Sequence, residues 1–346
     1  MDDRFGARSM TCQVQFCPYE RQLRQPLRTG HGDWRTRAGI LVRLATTDHR
    51  VGFGDITPLP WFGSETLEQA LGFCQQLPDR LSIAELEAIP TSLPACQFGL
   101  ESALAMLSAP NLNLDSLPWQ PPAIAALLPT GKSALEAWQP LWARGYRTWK
   151  WKIGVQSVEL ETAWLREMCA MLPRGVRLRL DANGGLTEAT ARQWLQVCDR
   201  YPQIEFLEQP LPPDQLEVML RLAKDYATTL ALDESVATLR QLMECHQRGW
   251  PGVMVVKPAI AGSPRQLRQY CQEHAMDIVL SSALETAIGQ WAGWQLAMTL
   301  GNAQRAMGYG VSHWFTDNWN DFLPAQFEQL WQAVKANRAK SGDYCP

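Results

Sequence analysis

The sequence predicts an α/β protein in which an α+β region precedes a (β/α)8-type barrel. Three observations carry that expectation. From residue 123 onward, eight short strand-like runs alternate with amphipathic helical stretches at a regular pitch. Before them strands and helices are mixed, and the proline-dense stretch at residues 118–122 separates the two patterns. The later runs also carry charges near their C-terminal ends, where a buried parallel strand is ordinarily apolar throughout. A doubly wound open sheet is the alternative architecture, because βα alternation alone does not separate open from closed sheets.

Taken in order, residues 11–16, 39–45 and 51–55 read as strands by β-branched content and turn punctuation. Residues 66–77, entered after Ser64-Glu65, and residues 94–107 read as helices. The barrel runs are residues 123–128, 148–153, 177–181, 204–208, 230–233, 252–257, 277–281 and, less regular, 305–310. Ser263-Pro264 supplies an N-cap and a first-turn proline for one interleaved helix.

Composition excludes several functions. The 346 residues carry 32 basic and 35 acidic side chains, a formal net charge of −3, so no electrostatic footprint favours nucleic acid or an anionic membrane. Mean hydropathy is −0.22, and no apolar run reaches the length of a membrane span. The polar start Met1-Asp2-Asp3-Arg4 is unlike a secretory leader, so a cytoplasmic protein is expected. Nine cysteines without a C-x-x-C pair suit reduced thiols there rather than a zinc site or disulfide framework. The fifteen tryptophans are dispersed and read as core.

The charged strand ends are the informative feature. In Thr148-Trp-Lys-Trp-Lys152 the alternation puts Lys150 and Lys152 on one face and Trp149 and Trp151 on the other. The next runs end in Asp181 (with Arg179 and Asn183 in phase), Glu208, Asp233 and Lys257, each about one βα unit further on. In a barrel these ends converge on one mouth, where active sites of this architecture lie. Asp181, Glu208 and Asp233 would repel one another unless a divalent cation sat between them. Oxygen-only ligands favour Mg²⁺ as a hard ion, with Mn²⁺ as a substitute. Lys152 and Lys257 would face each other across a small carboxylate substrate. A lysine near a cation and a second ammonium loses its proton more readily, as a general base requires. Such a site suits removal of a proton α to a carboxylate, because metal and ammonium together stabilise the enediolate. Each charge taken singly is also explained as a solvated residue or half of an ion pair; five in phase are not.

Lys150-x-Lys152, Asp181-Ala-Asn183, Glu208-Gln-Pro210, Asp233-Glu234 and Lys257-Pro258, in this order and spacing, resemble the enolase superfamily, specifically its muconate-lactonizing-enzyme subgroup. Residues 281–289 and 52–60 extend the resemblance to the o-succinylbenzoate synthase family. The resemblance implies an enolase-like (β/α)7β modified barrel over residues 121–320, an α+β capping domain over residues 1–120, and a C-terminal segment, 321–346, returning to the cap. It implies that Lys152 is the acid/base, that Lys257 stabilises the enediolate, and that Asp181, Glu208 and Asp233 bind Mg²⁺. The implied reaction is loss of water from 2-succinyl-6-hydroxy-2,4-cyclohexadiene-1-carboxylate.

Other candidates are open to more than one reading. Lys150, Arg179 and Asn183 either orient the site or form a polar barrel layer. Ser281 and Ser282 either contact substrate or cap a helix. The cap segments Gly30-His-Gly32 and Pro58-Leu-Pro-Trp-Phe62 would close over the mouth, with His31 nearest the substrate. Racemisation and cycloisomerisation use the same lysine pair, N-succinylamino acid racemase included. A dipeptide epimerase should carry Asp-x-Asp near the eighth strand, where Asp317 is followed by Asn318 and Trp319. A mandelate-type enzyme should have a histidine base where Lys257 stands. A non-catalytic binding barrel would be expected to have lost one of the five positions.

Overall fold

A computed structural model describes residues 11–29, 32–108, 123–300 and 305–340. The N-terminal sheet is built on a long hairpin, β1 (Thr11–Thr29) with β2 (Gly32–Ala45), to which β3 (Val51–Ile56) and β4 (Arg80–Ser82) add antiparallel edges in the order β3-β2-β1-β4. The hairpin is much longer than residues 11–16 and 39–45. Pairing runs from Gln13↔Ala45 to Thr29↔Gly32 and absorbs an irregularity between Gln22 and Leu27. Pro18 and the charged residues after it disguise this extension in the sequence. α1 (Leu67–Gln76) begins at a capping box between Thr66 and Gln69. A short α2 (Ile83–Glu87) follows β4, and neither was expected.

The helix α3 (Pro94–Ser108) is buried on almost all sides because it lies against the sheet at backbone distance on one side and against residues 258–273 on the other. A Cβ on Gly54 would stand 1.9 Å from the Gly99 carbonyl oxygen, and one on Gly52 2.0 Å from that of Ala103. Gly52-Phe-Gly54 is therefore a packing requirement. Ile40, Val42, Leu44 and Ile56 of the sheet meet Ala70, Cys74, Cys96, Leu100 and Ala103 of α1 and α3 in one core.

The second layer contains seven parallel strands: β5 (Ala126–Leu127), β6 (Thr148–Lys152), β7 (Arg177–Asp181), β8 (Ile204–Glu208), β9 (Leu230–Leu232), β10 (Val253–Val256) and β11 (Ile278–Leu280). Each pairs with its sequence neighbour. Helices α4 (Ala134–Ala143), α5 (Val158–Met171), α6 (Glu188–Cys198), α7 (Leu216–Asp225), α8 (Leu239–Gln247), α9 (Pro258–Ala261) and α10 (Pro264–Glu273) intervene. The ring closes at the eighth position: Met307 N–H donates to the Ala123 carbonyl at 2.7 Å, and Gly308 N–H to that of Leu280 at 2.8 Å. Residues 307 and 308 thus bridge β5 and β11, which makes the sheet a barrel rather than an open fan.

Side-chain alternation divides the barrel wall. Trp149 and Trp151 face outward against Trp138 and Trp194. Phe206, Ala231, Val253, Val255 and Val279 form a small apolar cluster of their own. α11 (Ala287–Thr299) and α12 (Phe327–Lys340) lie on the other side of the N-terminal sheet, where Trp291, Phe327, Leu330 and Trp331 pack on Cys17, Tyr19, Leu41 and Phe53. Seven cysteines are buried free thiols. Cys17 departs from the expectation of reduced thiols and is disulfide-bonded. Among the described residues, no helix is long and apolar enough to cross a membrane. Residues 118–122 and His31 lie outside the described residues.

Candidate active site

Five consecutive strands deliver the charged residues to one end of the barrel. β6 carries Lys150 and Lys152 on its inner face. Asp181 and Glu208 are the last residues of β7 and β8, and the register sets Lys152 beside Asp181 and Asp181 beside Glu208. Asp233 and Lys257 follow directly on β9 and β10, each at the start of a helical turn. The three carboxylates are 5%, 1% and 3% exposed.

The three lysines are not equivalent. Lys150 Nζ lies 2.7 Å from Asp181 Oδ2 and 2.8 Å from Glu208 Oε1. Lys257 Nζ contacts Asp233 Oδ1. The half-buried Lys152 side chain has no hydrogen-bond or ion-pair partner among the described residues. Burial pulls the Lys150 ammonium down, but the carboxylates of Asp181, Glu208 and Asp233 outweigh it and hold it well above the lysine range. Glu208 is pushed up to about 8 by burial, with Lys150 opposing and Asp181 and Asp233 reinforcing the rise.

A second layer fixes these groups. Asn183 N–H and Nδ2 donate to Asp181 at 2.9 and 3.3 Å, and Nδ2 also reaches Glu234 Oε1 at 3.1 Å. Gln209 links two strand ends: its Oε1 accepts from the N–H groups of Asp233 (2.9 Å) and Ser235 (3.2 Å), while Nε2 donates to Ser235 Oγ at 2.7 Å. Both Asn183 and Gln209 have left-handed backbone, φ 45 and 35, a cost accepted where side chains must turn back on the strand ends. Glu234 leaves Oε2 buried without a hydrogen-bond partner. Burial and then the charges of Asp233 and Asp181 push its carboxyl up to about 7. Gln209 and Glu234 were not among the sequence candidates, although both stand inside the quoted motifs.

The remaining candidates separate from this cluster. Arg179 pairs with Glu205 at 2.7 Å, 2% exposed, on the side of the barrel away from the mouth. Ser281, half-buried beside the closing segment, is 3.5 Å from the Gly308 carbonyl. The Ser282 hydroxyl donates to Glu285 at 3.0 Å and accepts from Leu284 N–H at 2.9 Å, so its single proton serves the turn after β11. It does not cap α11, whose N-cap is Thr286.

The donor set fits a hard divalent cation. Three buried carboxylates on adjacent strand ends offer oxygen only, and burial, reinforced by their mutual repulsion, raises Glu208. No three acidic, His or Cys side chains among the described residues already form a coordination shell. The ammonium groups of Lys150 and Lys257 stand between the carboxylates and balance their charge instead.

Comparison with known proteins agrees with this geometry. Residues 133–328 match the family described as enolase C-terminal domain-like, and residues 19–107 match the MenC N-terminal domain. An o-succinylbenzoate synthase from Thermosynechococcus vestitus is 44% identical over 320 residues, which cover 91% of this chain and 97% of that protein. One from Klebsiella pneumoniae is 32% identical, covering 74% and 77%. The crystal structure of the Thermosynechococcus elongatus o-succinylbenzoate synthase, complexed with Mg in the active site, superposes with a TM-score of 0.84 at 42% identity over 93% and 99% of the two chains. A dipeptide epimerase from Enterococcus faecalis, with Mg and a dipeptide bound, shares the fold at TM-score 0.72 and 22% identity over 86% and 90%. With both parts of the chain matched and identity sustained along most of it, the protein belongs to the o-succinylbenzoate synthase family of the enolase superfamily.

Proposed function

We propose that this site catalyses the Mg²⁺-dependent dehydration of 2-succinyl-6-hydroxy-2,4-cyclohexadiene-1-carboxylate to 2-succinylbenzoate, with Lys152 as the acid/base. The observation that carries the assignment is the inequality of the lysines. An ammonium held between carboxylates, as Lys150 is, keeps its proton; Lys152 has no such partner and can cycle it. Bound by Asp181, Glu208 and Asp233, Mg²⁺ would supply Lewis-acid stabilisation of charge developing on the substrate carboxylate.

Lys152 takes the proton from C1, and the C–H electron pair moves into the carboxylate as an enediolate. Lys257 stabilises that charge from the opposite side of the mouth. Collapse of the enediolate forms the new ring double bond and breaks the C6–O bond. Lys152 returns its proton to the departing hydroxide on the same face, so one water leaves and the ring becomes aromatic. Asn183 and Gln209 hold Asp181 and Asp233 in place through this sequence.

The small net charge supports an enzyme acting on a small-molecule carboxylate rather than on nucleic acid or an anionic membrane. The packing of α12 on the N-terminal sheet supports a cap of residues 1–120, a barrel of 121–320 and a returning segment 321–346. A dipeptide substrate is disfavoured because Asp317 is committed to Arg21 at 2.7 Å. The test is ultraviolet detection of ring aromatisation when protein, Mg²⁺ and the cyclohexadiene are mixed. Rapid conversion is expected; no conversion, with racemisation of an N-succinylamino acid instead, would overturn the reading.

A further inference from the structure

The cap touches the mouth with an aromatic ring. Phe62 ends the turn Pro60–Phe62, and its ring centroid lies 4.1 Å from Lys257 Nζ. Among the described residues, no such aromatic face covers Lys150 or Lys152. The contact is built in from both sides. Phe62 packs with Leu59 and Phe98 of the cap and with Ala259 and Ile260, which directly follow Lys257-Pro258.

The turn itself is pinned. Arg37, 3% exposed, donates to the carbonyls of Thr57 (2.5 Å) and Pro58 (2.8 Å) at the head of the turn, and to that of Ala283 (3.0 Å) in the loop after β11. Beyond the turn, Glu65 accepts from Ala95 and Cys96 N–H at the start of α3, at 3.0 and 2.8 Å. A ring on a surface loop would be free to swing; this one is fixed between two buried anchors.

Two groups therefore hold the Lys257 ammonium: the Asp233 carboxylate and the Phe62 ring. A carboxylate that turns toward a divalent cation loosens its hold on a lysine, whereas a π face does not bind a hydrated Mg²⁺ in competition. We propose that Phe62 is a positioning residue for Lys257, keeping its ammonium aimed into the mouth and dry when the cap is seated. This rests on the reading of Lys257 as the enediolate-stabilising lysine.

Phe62→Leu keeps apolar volume and removes the π face; Phe62→Tyr keeps both. Kinetics on the cyclohexadiene substrate are paired with acetylation of Lys257 by acetic anhydride, quantified by mass spectrometry in metal-free protein, which needs no turnover. Phe62→Leu should lower kcat about tenfold with KM changed less than about twofold, and should acetylate faster at Lys257. Phe62→Tyr should stay within about threefold of the parent in both assays. Unchanged kcat and labelling in Phe62→Leu would overturn the proposal. So would a raised KM at constant kcat, which marks a substrate wall, or Phe62→Tyr behaving as Phe62→Leu. If the parent turns over no cyclohexadiene, the proposed function fails and the labelling result alone decides the role of Phe62.

Discussion

Strand β8 holds two glutamates, one near each end, and they live in opposite electrostatic conditions. At the N-terminal end, Glu205 accepts from Arg179 and from Arg305, each at 2.7 Å, and Arg305 also pairs with Asp277 at 2.7 Å. Burial alone would raise the Glu205 carboxyl, but the two guanidinium groups outweigh it and hold it below the usual range. Three residues later, Glu208 shares one lysine with Asp181 and is pushed up to about 8. The floor is a closed set of ion pairs that stabilises the ring. The mouth gathers three buried carboxylates whose ion-pair partners among the described residues are Lys150 and Lys257 alone, an oxygen-rich arrangement suited to a cation and to chemistry.

Substituting each glutamate sharpens the contrast. Glu208→Gln should lower kcat by at least about a hundredfold, since on the proposed reading it removes a cation ligand together with the anchor of Lys150; a kcat within a fewfold of the parent would remove Glu208 from the site. Glu205→Gln should leave kcat within a fewfold and cost about 3 kcal/mol of unfolding free energy, because the buried Arg179 guanidinium loses its charged partner while Arg305 keeps only Asp277. Denaturant titration beside steady-state kinetics checks both halves.

Mg²⁺ comes next in size. At about a hundredfold above its dissociation constant it should stabilise the parent by about 2.7 kcal/mol. Thermal unfolding with and without EDTA measures this, and Asp233→Asn should diminish the shift while Glu205→Gln should not. An Asp233→Asn protein with the parent's shift would exclude Asp233 as a ligand.

The pH dependence adds a sign to the comparison, because the two ends of β8 should respond in opposite directions. Glu205, held low, contributes stability that is present above the ordinary glutamate value of 4.5 and is lost as pH falls below it. Glu208, held high, favours the protonated native state between 4.5 and about 8, so metal-free protein loses stability as pH rises through that window. Each slope is at most about 1.4 kcal/mol per pH unit. Unfolding midpoints across pH should lose the alkaline slope in Glu208→Gln and the acid slope in Glu205→Gln. Slopes of the same sign would break the comparison.

The mouth was legible in the sequence because strand parity is a local rule: Lys150 and Lys152 two apart, and a charge at each successive strand end, need no knowledge of partners. The closing segment was legible for a similar reason, as one more run at the barrel pitch. Partners far apart in the chain were not. Arg179 is in phase with Asp181 and reads as a site residue, yet it is claimed by Glu205, with Arg305 a hundred residues beyond. Ser282 reads as a free hydroxyl until Glu285 folds back on it. Phe62 meets Lys257 only because the cap is seated on the barrel, a contact no periodicity encodes.

The most direct test of the account is single-turnover conversion of the cyclohexadiene carboxylate at saturating Mg²⁺, followed in the ultraviolet, by the parent and by Lys152→Ala. The account predicts a loss of at least about a thousandfold in Lys152→Ala, with the Mg²⁺-induced thermal shift unchanged. A rate within about tenfold of the parent in that folded, Mg²⁺-binding variant would place the base elsewhere and contradict the account.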